Sequence, residues 1–174
     1  MIKNLDNDGL QKIAENYDLF YIDIWGVVHN GIELHKQAVN TLEKLDEYKK
    51  EFVLLTNAPR PNEPVIKFLK KMGLKNFFKN VFTSGEAAMR YLKADLKDQK
   101  FFHLGPPRDF DLFVTFEDLR ENNLSSADYI LCTGLFDDHD DDLDYYKNLL
   151  KNHTSKKMIC LSLIHISEPT RQPC

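Results

Sequence analysis

The chain has 174 residues, of which 43% are apolar and 29% are charged, a composition typical of a globular protein with a buried core. Its net charge of −4 argues against binding to nucleic acid, which requires clustered lysine and arginine side chains. Apolar stretches such as Phe52 to Leu55 and Tyr129 to Cys132 are far shorter than the roughly 20 residues that span a bilayer. We therefore expect neither a nucleic-acid nor a membrane partner.

The N-terminus and the cysteines bear on the cellular compartment. Met1 to Gln11 lacks the apolar segment of a secretory signal. Cys132, Cys160 and Cys174 show neither the spacing of metal ligands nor the even number of a disulfide framework, which suits a reducing environment. These features predict a cytoplasmic protein.

Helices and strands are predicted to alternate along the first part of the chain. A short helix from Leu10 to Asn16 precedes a nearly continuous apolar strand from Asp18 to Ile24, a pattern typical of a strand buried on both faces. A helix from about His35 to Lys50 comes next. The second apolar strand runs from Glu51 to Leu55, and Pro59 forbids further ladder pairing beyond it.

The alternation continues after this proline. A helix is predicted from Asn62 to Met72, with Gly73 closing it. Asn80 to Phe82 is a third short strand, and Ser84 is expected to cap a helix from Gly85 to about Leu96. This order of elements predicts an α/β fold with a doubly wound parallel sheet.

A polar segment, Lys97 to Lys100, is the best candidate for a domain junction. We predict one domain over residues 1–98 and a second over residues 99–161. The elements predicted in the second domain are strands at Phe101 to Leu104, Tyr129 to Thr133 and Lys157 to Leu161, a turn and helix at Phe113 to Asn122, and a helix at Asp144 to Asn152.

Residues 162–174 break the pattern that precedes them. They contain two prolines near their end and have no matching periodicity. The segment resembles a translated sequencing adapter, so we predict that it is a non-native tail and exclude it from the fold. A genuine irregular terminus is the alternative.

Three polar residues follow the first two predicted strands. Asp23 comes at the end of the first strand, and Thr56 and Asn57 come at the end of the second. These strands are neighbours in a right-handed βαβ unit, and ligands of parallel sheets bind at the carboxyl edge, so the three side chains are expected to face one site. A carboxylate there can attack phosphorus or ligate magnesium, and a hydroxyl can hold phosphate oxygens. An aspartate that merely caps a turn is the alternative.

An acidic run extends from Asp137 to Asp144. It lacks the glycine and the glutamate that a calcium-binding EF-hand loop requires at its sixth and twelfth positions. Because it precedes the helical segment Tyr145 to Leu150, we interpret it as acids that complement the dipole at a helix N-terminus.

Five segments, which occur in the family's order, resemble the haloacid dehalogenase superfamily, and in particular subclass IIA, the nitrophenylphosphatase-like branch. The fold that this resemblance implies is the N-terminal half of a doubly wound core followed by part of an inserted α/β cap. The five segments are Phe20 to Gly31, Leu54 to Arg60, Thr83 to Ala88, His103 to Pro106 and Thr133 to Asp138.

The resemblance assigns roles to individual residues. It implies that Asp23 is the nucleophile, which forms an aspartyl-phosphate, and a ligand of Mg²⁺. The backbone carbonyl of Trp25 is implied as a second metal ligand. Thr56 and Asn57 are implied to orient the transferred phosphoryl group. Arg60 is a further candidate because a guanidinium can contact substrate oxygens in a bidentate way, with solvation at the surface as its alternative.

The sequence departs from the family pattern in two respects. Most family phosphatases carry a second aspartate two residues after the nucleophile, which protonates the leaving group, and this chain has Trp25 there. His29 is the nearest candidate for a replacement acid, and a structural or solvated histidine is the alternative. The family's later lysine and acidic pair are expected to be missing, since both follow the cap.

Three functions follow as hypotheses. The resemblance implies a magnesium-dependent phosphatase that acts on a small phosphorylated metabolite through an aspartyl-phosphate. The second is a catalytically inactive, truncated fragment with at most phosphate or partner binding, because the lysine and metal site supply much of phosphoryl-transfer catalysis. The third is dehalogenase-type hydrolysis. The oligomeric state is left open.

Overall fold

A computed structural model of the chain describes residues 9–161. The predicted tail at 162–174 lies outside the described residues. The chain divides into two compact units, of which the first includes 9–56 and Ile66–Phe82 and the second Asn57–Val65 and 83–161. The predicted domain boundaries at residues 98 and 161 stay predictions. Over the described part of the chain, no helix is long and apolar enough to cross a membrane.

The first unit is built on a three-stranded sheet with the strand order β1-β2-β3. Strands β1 and β2 pair in parallel, with Asp23 opposite Leu55, and helix α2 between them packs against β2. The predicted βαβ unit and α/β fold are therefore confirmed. The elements in this part of the chain are α1 (Gln11–Ala14), β1 (Leu19–Asp23), α2 (Lys36–Glu47), β2 (Glu51–Thr56), α3 (Asn62–Lys71) and β3 (Val81–Thr83).

Strand β1 is not buried on both faces, and this expectation was wrong. Leu19 and Tyr21 are 40% and 69% exposed, and exposed positions alternate with half-buried ones along the strand. Within residues 9–161, β1 is the edge strand of its sheet and pairs only with β2. An apolar run in the sequence is thus left on the surface, where unpaired strand edges promote association between chains.

We expect the substitution Tyr21→Lys to reduce aggregation of the full chain. A lysine on an exposed edge strand opposes strand-to-strand pairing between molecules, and a surface substitution alters the free energy of unfolding by only about 0.5 kcal/mol or less. Light scattering during heating measures the effect. The matched control is Tyr48→Lys, since Tyr48 is also about half exposed but lies at the end of α2. Equal aggregation of wild type and Tyr21→Lys would exclude the β1 edge as its cause.

One of the two predicted helix ends is confirmed, and the residue predicted to cap the next helix is corrected. Gly73 follows α3 with a φ of +99°, as predicted, because only glycine adopts this conformation without strain. The cap of the next helix is Thr83 rather than Ser84, and its Oγ1 accepts a hydrogen bond from the Glu86 amide. Ser84 instead donates from its hydroxyl to the carbonyl of Ala58.

The second unit contains a four-stranded parallel sheet with the order β5-β4-β6-β7. The predicted helix at Phe113 to Asn122 was wrong, since 3₁₀ turns extend over Pro107–Leu119 and are kinked at Phe113 and Phe116. A two-residue strand then joins the edge of the sheet. The elements are α4 (Ser84–Asp95), β4 (Phe101–Leu104), β5 (Arg120–Glu121), β6 (Tyr129–Cys132), α5 (Leu143–Leu150) and β7 (Lys157–Cys160).

Both faces of this second sheet are covered. On one face, Leu92 of α4 packs in a cluster with Phe101 and Leu131. On the other face, Tyr146 of α5 packs in a cluster with Leu104 and Ile130. Strand β6 is consequently buried at every position, which is the situation that a continuous apolar run predicts.

A buried histidine in the second unit makes the stability of the fold sensitive to pH. His103 is 7% exposed, and its Nε2 lies 2.8 Å from the Thr133 hydroxyl. Burial, and then the nearby Arg120, lower the pKa of His103 from 6.5 to about 4. Between these two pH values the unfolded chain binds a proton that the folded chain does not.

The contribution of His103 to the free energy of unfolding is therefore expected to have its full value above pH 6.5. The free energy of unfolding should fall by up to about 3 kcal/mol as the pH drops to about 4. Urea unfolding at a series of pH values measures this slope. His103→Asn should be less stable at neutral pH but should show a shallower slope. His139→Asn, which changes a more exposed histidine, should keep the wild-type slope, and an unchanged slope in His103→Asn would refute the assignment.

Candidate active site

The carboxyl ends of β1 and β2 bring two of the predicted site residues together. Asp23 is the last residue of β1, and Thr56 is the last residue of β2. The parallel register places Asp23 opposite Leu55, one residue before Thr56. The Ile24 amide donates to the Leu55 carbonyl over 2.9 Å, so the pairing continues to the strand end. A carboxylate and a hydroxyl thus lie at the sheet edge where ligands of parallel sheets bind.

The Asp23 carboxylate is exposed and accepts a hydrogen bond from the backbone. Its Oδ1 accepts a hydrogen bond of 2.9 Å from the amide of Ile24, the next residue, whereas a turn-capping aspartate accepts from the amide two residues on. A carboxylate has about four lone-pair positions. One accepted hydrogen bond therefore leaves acceptor capacity for a metal ion or for attack on an electrophile.

The loop after β1 is closed by its own backbone hydrogen bonds. The Gly26 amide donates to the His29 carbonyl over 2.8 Å, and the Val28 amide donates to the Ile24 carbonyl over 2.8 Å. Gly26 has a φ of +76°, which glycine adopts without strain. Val28 is fully buried and anchors the loop to the core of the first unit.

His29 is buried in this loop. It is 4% exposed, and its ring contacts Phe68 and Trp25 edge to face. Its Nδ1 accepts a hydrogen bond of 2.9 Å from the Gly31 amide, so the neutral ring carries its proton on Nε2. Burial, and then His35, lower the pKa of His29 against the raising effect of Asp23.

These contacts favour the structural role of His29. An imidazole that is neutral at neutral pH, with one nitrogen bonded to the backbone, is a poor proton donor to a leaving group. Its predicted role as an acid stays a prediction.

Trp25 occupies the second position after Asp23 and presents its side chain to solvent. Its side chain is 48% exposed. The ring lies directly against Gly31, where an added Cβ would be only 2.8 Å from the Trp25 Cη2 atom. Gly31 also has a φ of +91°, so a glycine at position 31 adopts the turn without strain and leaves room for the indole. The predicted role of the Trp25 carbonyl as a metal ligand stays a prediction.

The remaining predicted residues, Asn57 and Arg60, lie in the second unit. Both are half-buried, and Asn57 follows Thr56 directly in the chain. Their roles toward a substrate stay predictions.

The segment that carries Asn57 and Arg60 is fastened to the start of α4, a feature that sequence reasoning missed. The Thr83 hydroxyl donates to the Arg60 carbonyl, and the Gly85 amide donates to the Ala58 carbonyl over 3.1 Å. A Cβ at position 85 would lie 2.4 Å from the Arg60 backbone, so only glycine allows this approach. The signal available in the sequence was the Thr-Ser-Gly triplet at 83–85.

The donor set suits magnesium to a limited extent. Within residues 9–161, no group of three or more histidine, cysteine, aspartate or glutamate side chains is arranged to hold a metal ion. Magnesium, however, usually keeps several waters and binds one or two carboxylates together with a substrate phosphate. The Asp23 carboxylate and the Trp25 carbonyl match this partial donor set.

The acidic run supports the helix-cap interpretation. Asp142 precedes α5, and its Oδ1 accepts a hydrogen bond of 2.9 Å from the Tyr145 amide. Asp137 forms an ion pair with the half-exposed Arg108. These contacts give the run a structural role.

A family model for haloacid dehalogenase-like hydrolases matches residues 20–116, more than half of the chain. The chain belongs to this hydrolase family. The predicted haloacid dehalogenase superfamily and the predicted fold class are confirmed, and the subclass IIA branch stays a prediction. A search of the curated proteins finds no match.

Solved structures of similar proteins share the fold of this chain. A haloacid dehalogenase-like hydrolase from Brucella suis 1330 has 29% identity and a TM-score of 0.71, and the match covers 88% of this chain and 59% of that one. The 4-nitrophenylphosphatase from Thermotoga maritima has 22% identity and a TM-score of 0.63, with 85% and 56% covered.

A third structure is the glycerol phosphate phosphatase from Mycobacterium tuberculosis in complex with calcium, with 19% identity, a TM-score of 0.58, and 86% and 44% covered. The chain thus spans less than two thirds of the length of each of these proteins.

Proposed function

We propose that this hydrolase cleaves phosphate monoesters of small metabolites, with Asp23 as the nucleophile. The observation that carries the proposal is the parallel register of β1 and β2, which places Asp23 and Thr56 at one sheet edge. The exposed Asp23 carboxylate is available for attack, and the Thr56 hydroxyl can donate to a phosphate oxygen. Solved relatives include a nitrophenylphosphatase and a glycerol phosphate phosphatase, which supports this reaction class.

The proposed reaction has two steps. An Asp23 carboxylate oxygen attacks phosphorus and forms a P–O bond, while the ester P–O bond breaks and the leaving oxygen keeps its electron pair. The released alkoxide or phenolate takes a proton from water. A water molecule then attacks the aspartyl-phosphate, which yields inorganic phosphate and restores the carboxylate.

A divalent cation, which we take to be Mg²⁺, belongs to this proposal. When bound, it would neutralise charge on the phosphate oxygens. The Asp23 carboxylate and the Trp25 carbonyl would hold it. The calcium complex of one relative supports a divalent metal, and we propose Asn57 and Arg60 as further contacts to the phosphate.

The second candidate function is phosphate binding without turnover. It is favoured by the small donor set proposed for the metal, the Asp23 carboxylate and the Trp25 carbonyl, because metal and charge stabilisation supply much of phosphoryl-transfer catalysis.

Hydrolysis of p-nitrophenyl phosphate by the full chain separates these two candidates. We expect magnesium-dependent release of nitrophenol, which EDTA abolishes, and a covalent phosphoryl label on the acid-quenched chain. Binding of inorganic phosphate without turnover would support the second candidate. Chloride release from haloacids, with no phosphatase activity, would instead indicate dehalogenase-type hydrolysis.

A further inference from the structure

Two cysteines of the second unit lie side by side on neighbouring strands. Cys132 is the last residue of β6, and Cys160 is the last residue of β7. The parallel register of these strands places the two residues directly opposite each other. The Leu161 amide donates to the Cys132 carbonyl over 3.0 Å, so the pairing continues to the strand ends. Two cysteines that are distant along the chain are thus neighbours across the sheet.

The two cysteine side chains lie on the same face of the sheet. Side chains alternate along each strand, so opposite residues of neighbouring strands share a face. Cys132 packs in the cluster that contains Tyr146 of α5, whereas Ile159, the residue before Cys160, packs against the cluster on the other face. The two thiols are in hydrogen-bonding contact. Neighbouring strands are about 4.8 Å apart, which lies within the Cα separation of about 4.4 to 6.8 Å that a disulfide requires.

The two thiols differ in exposure and in acidity. Cys132 is 5% exposed, and its thiol donates to the Gly134 carbonyl over 3.6 Å. Burial, and then Cys160, raise the pKa of the Cys132 thiol, so this thiol is protonated and unreactive toward reagents in solution at neutral pH. Cys160 is exposed, and within residues 9–161 its strand β7 is an edge of the sheet. An oxidant therefore reaches Cys160 first.

We propose that Cys132 and Cys160 are a redox-active pair, which a small disulfide such as oxidised glutathione converts into a reversible disulfide that joins β6 to β7. The Cys160 thiolate attacks one sulfur of the reagent, so that a mixed disulfide forms and a glutathione thiolate leaves. Cys132 then loses its proton to water and attacks the Cys160 sulfur, and the second glutathione thiolate leaves. The chain loses two electrons and two protons, and oxidised glutathione becomes two molecules of reduced glutathione.

A disulfide at this position stabilises the second unit. It closes the loop that runs from β6 through α5 to β7, and such a cross-link lowers the conformational entropy of the unfolded chain. The melting temperature of the oxidised chain is expected to exceed that of the reduced chain by roughly 5 to 10 °C. A thiol reductant can reverse the bond because Cys160 is exposed. The inference is independent of the proposed phosphatase function.

Peptide mapping by mass spectrometry tests the inference. The full chain is incubated in its folded state with oxidised glutathione, blocked with N-ethylmaleimide and digested. We expect a peptide pair linked through Cys132 and Cys160, which dithiothreitol separates. A chain that keeps glutathione on Cys160 and a thiol at Cys132, or that links Cys160 to Cys174, would overturn the inference. A linked chain that melts at the temperature of the reduced chain would overturn the stabilising role of the bond.

Three serine variants test the order of the two steps. Cys132→Ser should accumulate glutathione on Cys160, because the second step is blocked, and Cys132→Ala repeats this test without burying a hydroxyl group. Cys160→Ser should leave Cys132 unmodified. The control Cys174→Ser should form the same disulfide as the wild type. Circular dichroism shows that each variant is folded, and glutathione on Cys132 in folded Cys160→Ser would contradict the assignment of Cys160 as the thiol that reacts first.

Discussion

Asp23→Asn is expected to lower kcat/KM for p-nitrophenyl phosphate by on the order of 10³-fold or more, to the uncatalysed background. A carboxamide cannot form the aspartyl-phosphate, and it also removes a charged metal ligand. Asparagine keeps an Oδ1 that can accept the Ile24 amide hydrogen bond of the wild type. The thermal melting temperature should therefore stay nearly unchanged, so that the loss of activity reports on chemistry.

The matched control for this variant is Asp18→Asn. Asp18 lies just before the start of β1, at the other end of the strand from Asp23. Its carboxylate is exposed, and the Lys50 Nζ lies 4.0 Å from its Oδ1. Such a surface ion pair contributes little to stability. Asp18→Asn should therefore retain wild-type activity, and the same loss in both variants would point to a general effect on folding.

Two other results would change the assignment. Activity that survives in Asp23→Asn would show that another group attacks the phosphorus. If the wild-type chain hydrolyses p-nitrophenyl phosphate no faster than the variant, phosphate binding without turnover remains as the function of this polypeptide.

Trp25→Asp is expected to increase kcat for glycerol phosphate by about 10²- to 10⁴-fold, the usual contribution of general acid catalysis. The new carboxyl group would stand two residues after Asp23, where it can protonate an alkoxide leaving group. The rate for p-nitrophenyl phosphate should change little, because nitrophenolate leaves without protonation. A comparison of kcat for the two substrates measures this change in selectivity.

Trp25→Asn is the control for Trp25→Asp, because asparagine has nearly the same shape and does not donate a proton as an acid. It should lose the indole without gaining activity on glycerol phosphate. The gain in Trp25→Asp should also decline at high pH as the carboxyl group ionises. An equal gain in the two variants would show that added space, rather than proton transfer, is responsible.

Local patterns were sufficient for the framework of the fold. The runs at β1 and β2 were predicted within one residue and the helix between them within three, because apolar periodicity and the right-handed βαβ rule act over short distances. Asp23 and Thr56 were placed at one edge by the same rules, and the register of the two strands agrees with this placement.

The errors arose where distant residues decide the environment. The apolar residues of β1 resemble those of β6, but β6 is covered on both faces while β1 is partly exposed. Which strands and helices cover β1 and β6 cannot be derived from the composition of either strand alone. The helix expected near residues 113–122 failed because aromatic packing around Phe113 stabilises kinked 3₁₀ turns instead.

The sequence by itself determined the alternation of strands and helices, the family, and the carboxylate at the end of β1, because these depend on neighbours along the chain. Only the tertiary structure decided that His29 is buried, that Trp25 is held against Gly31, and that Gly85 lies against the backbone of Arg60. These features depend on close contacts across loops and between distant segments, and no pattern of residue types specifies such distances. Local sequence thus predicts which chemical groups the site contains, whereas packing between distant segments determines the shape of the site.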